Sequence, residues 1–530
     1  MQKDNENKNY QRRRESSRRE HHTRDDHQQG YEPPQTVSSI AKLKARDYFK
    51  GTVKILRKTQ PGPVIFTVSD GEGSVDAVTK ESDFETDDVV ELSGKASARA
   101  GKLQIEIDDM RKSDLDFSKI IDEKSEPTKK EFSIKSERYQ KLKPYFYAIA
   151  KRIRRAILDN EPIMIRHHAD ADGIIAGLCI EKSCEALMKK SGINPDYNLH
   201  RSPSKAPFYE KTDVLRDITY AKRLTEEHKQ KKPIIIVLDN GSTPEDVFAM
   251  KLLHMLSYEV IVIDHHNPVI LKNKKTAVCQ YLALHLNPYI EGFDGKTSAG
   301  MLSYEVARLI HDGFENPVMP AISAISDRCD INETEEYIKQ THKTREELNK
   351  KGIAIDYIAY HLKFDSGKGI FDELIINEKL VDLINEEVTK GVETQLQSTL
   401  PYLRTQDING IIFSYIDLEK YTLRFTYPTP GKITGIIHDE VSEGKENFPV
   451  ITLGYMSDMV ILRATKPVLP IAKIIETLRK DIPEANVDGG GHECAGTIKF
   501  VSAHLTTIIE NIKQQIRKLD YIKKIEDNVC

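Results

Sequence analysis

The densest chemistry in this chain lies in Arg166-His167-His168-Ala169-Asp170-Ala171-Asp172-Gly173. An imidazole and two carboxylates alternate there with small residues, and on an extended segment residues at i and i+2 point to the same side. Carboxylates that close repel, and burying them is costly unless a cation neutralises them. A divalent metal ion is the simplest such cation. The same residue types recur in Asp239-Asn240-Gly241-Ser242, in Asp264-His265-His266-Asn267-Pro268 and at Asp327. A buried ion-pair network would need several basic partners for these acids, and the segments supply mainly histidines. Hard carboxylate oxygens with a few imidazoles suit Mn²⁺, and Mg²⁺ less tightly.

These residues need elements to bring them together. Residues 162–165 form an apolar run that predicts a buried strand, and the small, apolar residues after Gly173 predict a helix. Residues 234–238 and 260–263 predict two more buried strands, with helices over 244–256 and 298–311. Continuous apolar strands alternating with helices imply a parallel sheet covered on both faces. In such sheets ligands bind beyond the carboxyl ends of the strands. The first strand runs into His168, Asp170 and Asp172, the second into Asp239, the third into Asp264-His265-His266, and an apolar helical run ends at Asp327. Four points of the chain are therefore predicted to converge on one edge of one sheet.

The remainder of the 530 residues frames that lobe, and about three domains are expected at this length. A formal net charge of −4 means that any nucleic-acid surface is local. The six cysteines form no CxxC pair, which reads as reduced thiols in a cytosolic protein and argues against structural zinc. Without a long apolar run or an apolar signal core, the sequence reads as soluble and cytoplasmic. Residues 1–36 hold eight Lys and Arg against seven Asp and Glu and almost nothing apolar, the composition of a solvated disordered tail. Residues 37–115 alternate in about five short strands, the pattern of a small closed barrel. Residues 116–135 read as a charged linker, 136–335 as the α/β lobe and 336–400 as a helical connector. Residues 401–525 read as a smaller α/β domain, with strands over 411–415, 422–425, 450–454 and 460–464. It contains Gly489-Gly490-Gly491-His492, where backbone N–H groups can approach an anion and His492 can donate to it; the alternative is a plain flexible turn.

The ordered set Asp170-x-Asp172-Gly173, Asp239, Asp264-His265-His266, Asp327 and Gly489-Gly490-Gly491-His492 resembles the DHH phosphoesterase superfamily. Over residues 140–525 it looks most like RecJ-type single-strand-specific exonucleases, especially their archaeal relatives. The barrel pattern resembles an OB-fold nucleic-acid-binding domain, in which Tyr48, Phe49 and Phe66 are candidates to stack on bases. The resemblance implies phosphodiester hydrolysis with two Mn²⁺ or Mg²⁺ ions bridged by Asp239. His168 and Asp170 would complete one site, and Asp172, His265 and Asp327 the other. His266 would face the scissile phosphate, Asp264 would orient its neighbours, and Arg463 and the Gly489–His492 loop would grip phosphate. His167 and Asp330 stand as alternatives to His168 and Asp327. Spacing favours His168, two before Asp170, and Asp327, which directly ends its apolar run; His167 and Asp330 are then expected in solvent or in supporting roles.

The leading expectation is an exonuclease acting on single-stranded DNA or RNA, with the OB-like module feeding a strand to the metals and replication or repair proteins as partners. A phosphoesterase for nanoRNA or cyclic dinucleotides would keep the site and change the substrate. A RecJ-related replication scaffold would keep the fold and lose ligands, whereas the ligand set here is complete.

Overall fold

A computed structural model of the chain describes residues 34–519, apart from 60–61, 100, 205, 207, 272–274, 364, 424, 446–447 and 493, and of His492 only the backbone. The expected tail lies outside the described residues up to position 33.

The strands β1 (Thr36–Val37), β2 (Tyr48–Thr59), β3 (Val64–Ser69), β4 (Ser74–Thr79), β5 (Val89–Arg99) and β6 (Lys102–Lys112) open the fold. Five of them close in the order β2-β3-β4-β6-β5-β2, with β1 added along β2, and β4 pairs with β6 in parallel. That strand order is the one an OB-like barrel requires. Successive residues of a strand face opposite sides. Phe49 and Phe66 accordingly fill the barrel core at 0% exposure, and only Tyr48 of the three stacking candidates faces outward. Strand alternation commits both rings to the interior, which removes Phe49 and Phe66 as stacking candidates.

Two helices follow, α1 (Phe117–Lys124) and α2 (Glu137–Leu158). α1 lies in the stretch expected to be a linker, and its Phe117 and Ile121 pack with Leu158 and Val89 beneath the barrel. The middle lobe then runs β7 (Ile163–His168), α3 (Ala171–Lys190), α4 (Pro195–Asn198), β8 (Leu199–Ser204), α5 (Lys211–Glu226), β9 (Ile234–Leu238), α6 (Val247–Met255), β10 (Val260–Ile263), β11 (Leu284–Leu286), α7 (Ala299–Ile310) and α8 (Val318–Ser326). Its sheet is all parallel in the order β11-β10-β9-β7-β8. α2, α3, α7 and α8 cover one face and α5 and α6 the other. The helices α9 (Asn332–Thr341), α10 (Arg345–Leu362), α11 (Ile370–Ile376) and α12 (Glu378–Thr399) send Tyr337, Leu348, Ile355, Leu374 and Val388 into the same core as α3. They close the lobe as well as leading out of it.

The last lobe comprises β12 (Arg404–Ile408), β13 (Ile411–Asp417), α13 (Leu418–Tyr421), α14 (Pro430–Ser442), β14 (Val450–Met456), β15 (Met459–Ala464), α15 (Ile471–Asp481), β16 (Asp488–His492), β17 (Ala495–Lys499) and α16 (Leu505–Arg517). Its mixed sheet has the order β12-β13-β14-β15-β17-β16, with α14 on one face and α15 and α16 on the other. Among the described residues of 422–425 the expected strand is not formed; α13 ends just before it, Thr422 lies in a bend and Phe425 in a turn.

Ion pairs tie the barrel to the middle lobe. Lys54 pairs with Asp159 at 2.7 Å and Asp87 at 3.0 Å, and Lys231 pairs with the same two acids at 3.1 Å each. Asp159 and Lys231 precede β7 and β9. The barrel is thus docked at the amino ends of the parallel strands, and strands this long put roughly 15–20 Å of sheet between it and their carboxyl ends. A strand fed by the barrel to the candidate metal ligands would have to cross that length of sheet. Among the described residues no helix is long and apolar enough to cross a membrane.

Candidate metal centre

The strand order places a topological switch between β7 and β9, because β8 follows β7 on one side and β9 returns on the other. At such a point the connections leave in opposite directions and open a crevice at the carboxyl ends. His168 and Asp170 lie on one lip and Asp239 on the other. His168 Nδ1 is 2.9 Å from Asp170 Oδ2 and 3.4 Å from Asp239 Oδ2. Asp239 has φ +55, a left-handed conformation that costs an ordinary residue about 1–2 kcal/mol. The chain holds it in register all the same, through Asp239 N–H donating to Ile263 O at 3.0 Å.

Asp170 and Asp172 do not share one side of an extended segment, as their spacing predicted. Strand β7 ends at His168 and helix α3 starts at Ala171, so the chain turns between the two acids. Asp170 caps the helix, accepting from Gly173 N–H at 3.0 Å. Asp172 points instead to the start of α7, accepting from Ala299 N–H at 2.9 Å, Gly300 N–H at 2.8 Å and Ser323 Oγ at 2.5 Å. The potential ligand atoms fall into groups: His168 with Asp170 and Asp239; Asp172 with His265 and Asp327; and Asp239 with His265 and His266, each within 4.8 Å.

Asp264 supports the histidines from behind. Its Oδ1 accepts from the backbone N–H of His265 at 2.8 Å and of His266 at 3.2 Å, and lies 2.7 Å from His266 Nδ1. His265 Nδ1–H donates to Gly295 O at 2.7 Å, which leaves Nε2 facing Asp239 Oδ1 at 3.2 Å and Asp172 Oδ2 at 3.6 Å. A backbone carbonyl on the far nitrogen is how metal-binding imidazoles are commonly oriented. Asp239 Oδ1 and Asp264 Oδ2 are buried without an aligned hydrogen bond. Buried carboxylate oxygens of that kind are what a hard cation would satisfy.

Charge in the centre is unbalanced. Burial, then Asp239, drives Asp172 well above the ordinary carboxylate range, and burial with Asp239 and Asp170 pushes Asp327 up to about 6. Against the cost of burial, Asp170 raises His168, Asp327 raises His265 and Asp264 raises His266. Protons would therefore compete with a metal ion for these atoms. Mn²⁺ affinity should rise steeply from about pH 6 to about pH 8, since the ion must displace protons from raised groups. Calorimetry at neutral pH in two buffers of different ionisation heat should report proton release. Affinity independent of pH over that span would contradict the arrangement.

Both alternatives can now be placed. Asp330 is 78% exposed and pairs with Arg345. His167 is fully buried, accepting at Nε2 from Arg201 Nη1 at 3.0 Å and donating from Nδ1 to His168 O at 2.7 Å. Burial and Arg201 hold its pKa well below the usual histidine range. It packs so close to α3 that a Cβ at Gly177 would lie 2.7 Å from its ring. His167 is thus a neutral support for the backbone of His168 and does not stand in solvent. Ser298, Ala299, Gly300 and Ser323 were missed; Ser298 ahead of an apolar run marks a helix start, but nothing local says that the helix points at Asp172.

Gly489-Gly490-Gly491-His492 is not a loop. It forms edge strand β16, paired with β17 from Asp488↔Lys499 to His492↔Ala495. Gly489 and Gly491, at φ +155 and +146, have no room for a Cβ, which would lie 2.3 Å from Thr497 O and Ala495 O. Gly490 faces the middle lobe, across from Glu245. The side chain of His492 lies outside the described residues. Arg463 donates from Nη2 to Gly431 O at 3.4 Å, while its Nε is buried without a partner.

A parallel lobe with acids and imidazoles gathered at its switch point, followed by a mixed-sheet lobe, defines a class of two-lobed α/β proteins. The family model for the DHH family, N-terminal domain, matches residues 162–326. An uncharacterized protein of Methanocaldococcus jannaschii is 36% identical over 523 residues, covering 89% of this chain and 69% of its own. A solved DHH domain, described as a member of the S1p family of ribosomal proteins, is 36% identical with a TM-score of 0.73, covering 75% of this chain and 96% of its own. RecJ from Thermus thermophilus, solved in complex with Mn²⁺, is 15% identical with a TM-score of 0.46, covering 74% of this chain and 56% of its own. The chain belongs to the DHH family.

Proposed function

We propose that this protein is a metal-dependent phosphodiesterase, an exonuclease that hydrolyses single-stranded DNA or RNA with two Mn²⁺ or Mg²⁺ ions. The observation that carries the reading is the pair of donor groups at the switch point: His168, Asp170 and Asp239 on one side, and Asp172, His265 and Asp327 on the other. Two divalent cations held there would neutralise phosphate charge and bring the pKa of a water toward neutrality. Asp239 stands between the groups and would belong to both. Asp264 fixes the ring of His266, which would donate to the phosphate. Arg463, with a buried donor to spare, and the backbone of Gly489–Gly491 would hold neighbouring phosphates.

A second reading is favoured by the barrel. Its docking at the amino ends of the sheet leaves the metal residues open to a substrate too short to reach it, so a dinucleotide phosphoesterase would use the same centre. End-labelled single-stranded DNA, RNA and a dinucleotide, each incubated with Mn²⁺ and with Mg²⁺, separate the two. Progressive shortening of the long strands from one end is expected. Hydrolysis of the dinucleotide alone would overturn the exonuclease reading, and no hydrolysis of any of the three would overturn both.

A further inference from the structure

The backbone N–H of Ala171, between Asp170 and Asp172, donates at 2.7 Å to Asp356 Oδ1 on α10. The other oxygen of Asp356 accepts from Lys432 Nζ, in the first turn of α14. Asp356 is only 11% exposed, and Lys432 is 40% exposed. A single carboxylate thus ties the turn that aims two of the candidate metal ligands to a helix of the last lobe. Tyr427, just before α14, reinforces the junction by packing on Tyr357 at 5.2 Å and Tyr360 at 5.8 Å, both on α10. At the other end of α14, about two turns away, Asp439 pairs with Arg328 at 2.9 Å, next to Asp327. The helix is thus tied at one end, through Asp356, to the turn between Asp170 and Asp172, and at the other to Arg328, next to Asp327.

We infer that Asp356 and Lys432 are positioning residues, which make the geometry of the Asp170–Asp172 turn depend on the seating of the last lobe. This rests on the metal-centre reading above. The physical reason is the burial of Asp356. Its charge is tolerated there because Lys432 offsets it; left unpaired, the buried carboxylate has no cation to balance it and turns toward water. Ala171 N–H then loses a charged acceptor at the point where the strand becomes a helix, and Asp170 and Asp172 lose their fixed separation. Groups that orient ligands from behind commonly change metal affinity by about 10–100-fold when removed.

The test is Mn²⁺ affinity by calorimetry on the full chain, without nucleic acid, for the unaltered protein, Lys432→Met and Lys432→Arg. Lys432 is partly exposed, so the methionine variant should fold, and far-ultraviolet circular dichroism verifies it. Lys432→Met should weaken Mn²⁺ binding by about tenfold or more, and Lys432→Arg should restore most of the loss. Should Lys432→Met misfold, Asp356→Asn gives the same test: it keeps an acceptor for Ala171 N–H but not the ion pair, and should weaken Mn²⁺ binding comparably. Unchanged or tightened Mn²⁺ binding in the variants would overturn the inference, and a raised KM with unchanged metal affinity would make Lys432 a plain substrate contact instead. A failure of the unaltered chain to bind Mn²⁺ would overturn the metal-centre reading itself, an outcome distinct from the first.

Discussion

Asp239→Asn should abolish hydrolysis while leaving the fold intact. The residue is common to the donor groups around His168 and His265, so its loss affects both. Charge stabilisation by a metal is worth several kcal/mol in a transition state, which at about 1.4 kcal/mol per decade predicts a fall in kcat of roughly 10³-fold or more. Asparagine is the better probe than alanine, because φ is +55 at this position and asparagine enters the left-handed region far more readily. Alanine would mix ligand loss with backbone strain. A second readout checks the cause. Asp172 and Asp327 are both raised partly by Asp239, so removing its charge relieves the crowd. The metal-free variant should melt higher than the metal-free parent, and Mn²⁺ should stabilise it less. Undiminished activity would refute the assignment of Asp239 as the shared ligand.

Arg166→Met should give the largest loss of stability outside the centre. Arg166 lies on the side of β7 turned toward α5, where its guanidinium holds both oxygens of Asp217 in a fork and donates to Pro203 O at 2.7 Å. Asp217 also accepts from Tyr209 Oη at 2.5 Å, and Asp213 stands 3.9 Å away at 2% exposure. Methionine fills the volume but leaves the buried Asp217 without a cation, and Asp213 with only the exposed Arg216 at 3.6 Å, a change that costs about 3–5 kcal/mol. The free energy of unfolding from urea titration should fall by that amount at unchanged slope, and Arg166→Lys should fall between, since an ammonium cannot reproduce the fork. A shift below about 1 kcal/mol would mean that water reaches the acids, as at a surface pair.

The barrel and the parallel lobe were legible because both are written in short-range patterns. Period-two alternation marks β2 to β6, and continuous apolar runs mark β7, β9 and β10 as strands buried on both faces. Once those strands are parallel, their carboxyl ends share an edge, and the gathering of His168, Asp239 and His265 follows. Where local pattern was read too literally, it failed. Tyr48 and Phe49 are neighbours, and the strand turned one outward and one inward. The acids of Asp170-x-Asp172 were read as a strand pair, but the helix had already begun at Ala171. Three glycines read as a loop, yet two of them are needed because a Cβ would strike the neighbouring strand.

The sequence by itself determined the chemistry: which residue types are present, in what order, at the ends of which elements, and hence a candidate hard-cation centre in a DHH-type lobe. Tertiary structure alone decided how that chemistry is held. Asp172 is oriented by Gly300, 128 positions away, and Ala171 by Asp356, 185 positions away. His167 is claimed by Arg201 and kept from the centre, and the barrel is seated by Lys54 and Lys231 at the remote end of the sheet. The physical reason is the same in each case. A side chain's type and its secondary-structure phase are local properties, whereas the partner that neutralises a buried charge is chosen by packing between segments that the sequence keeps far apart.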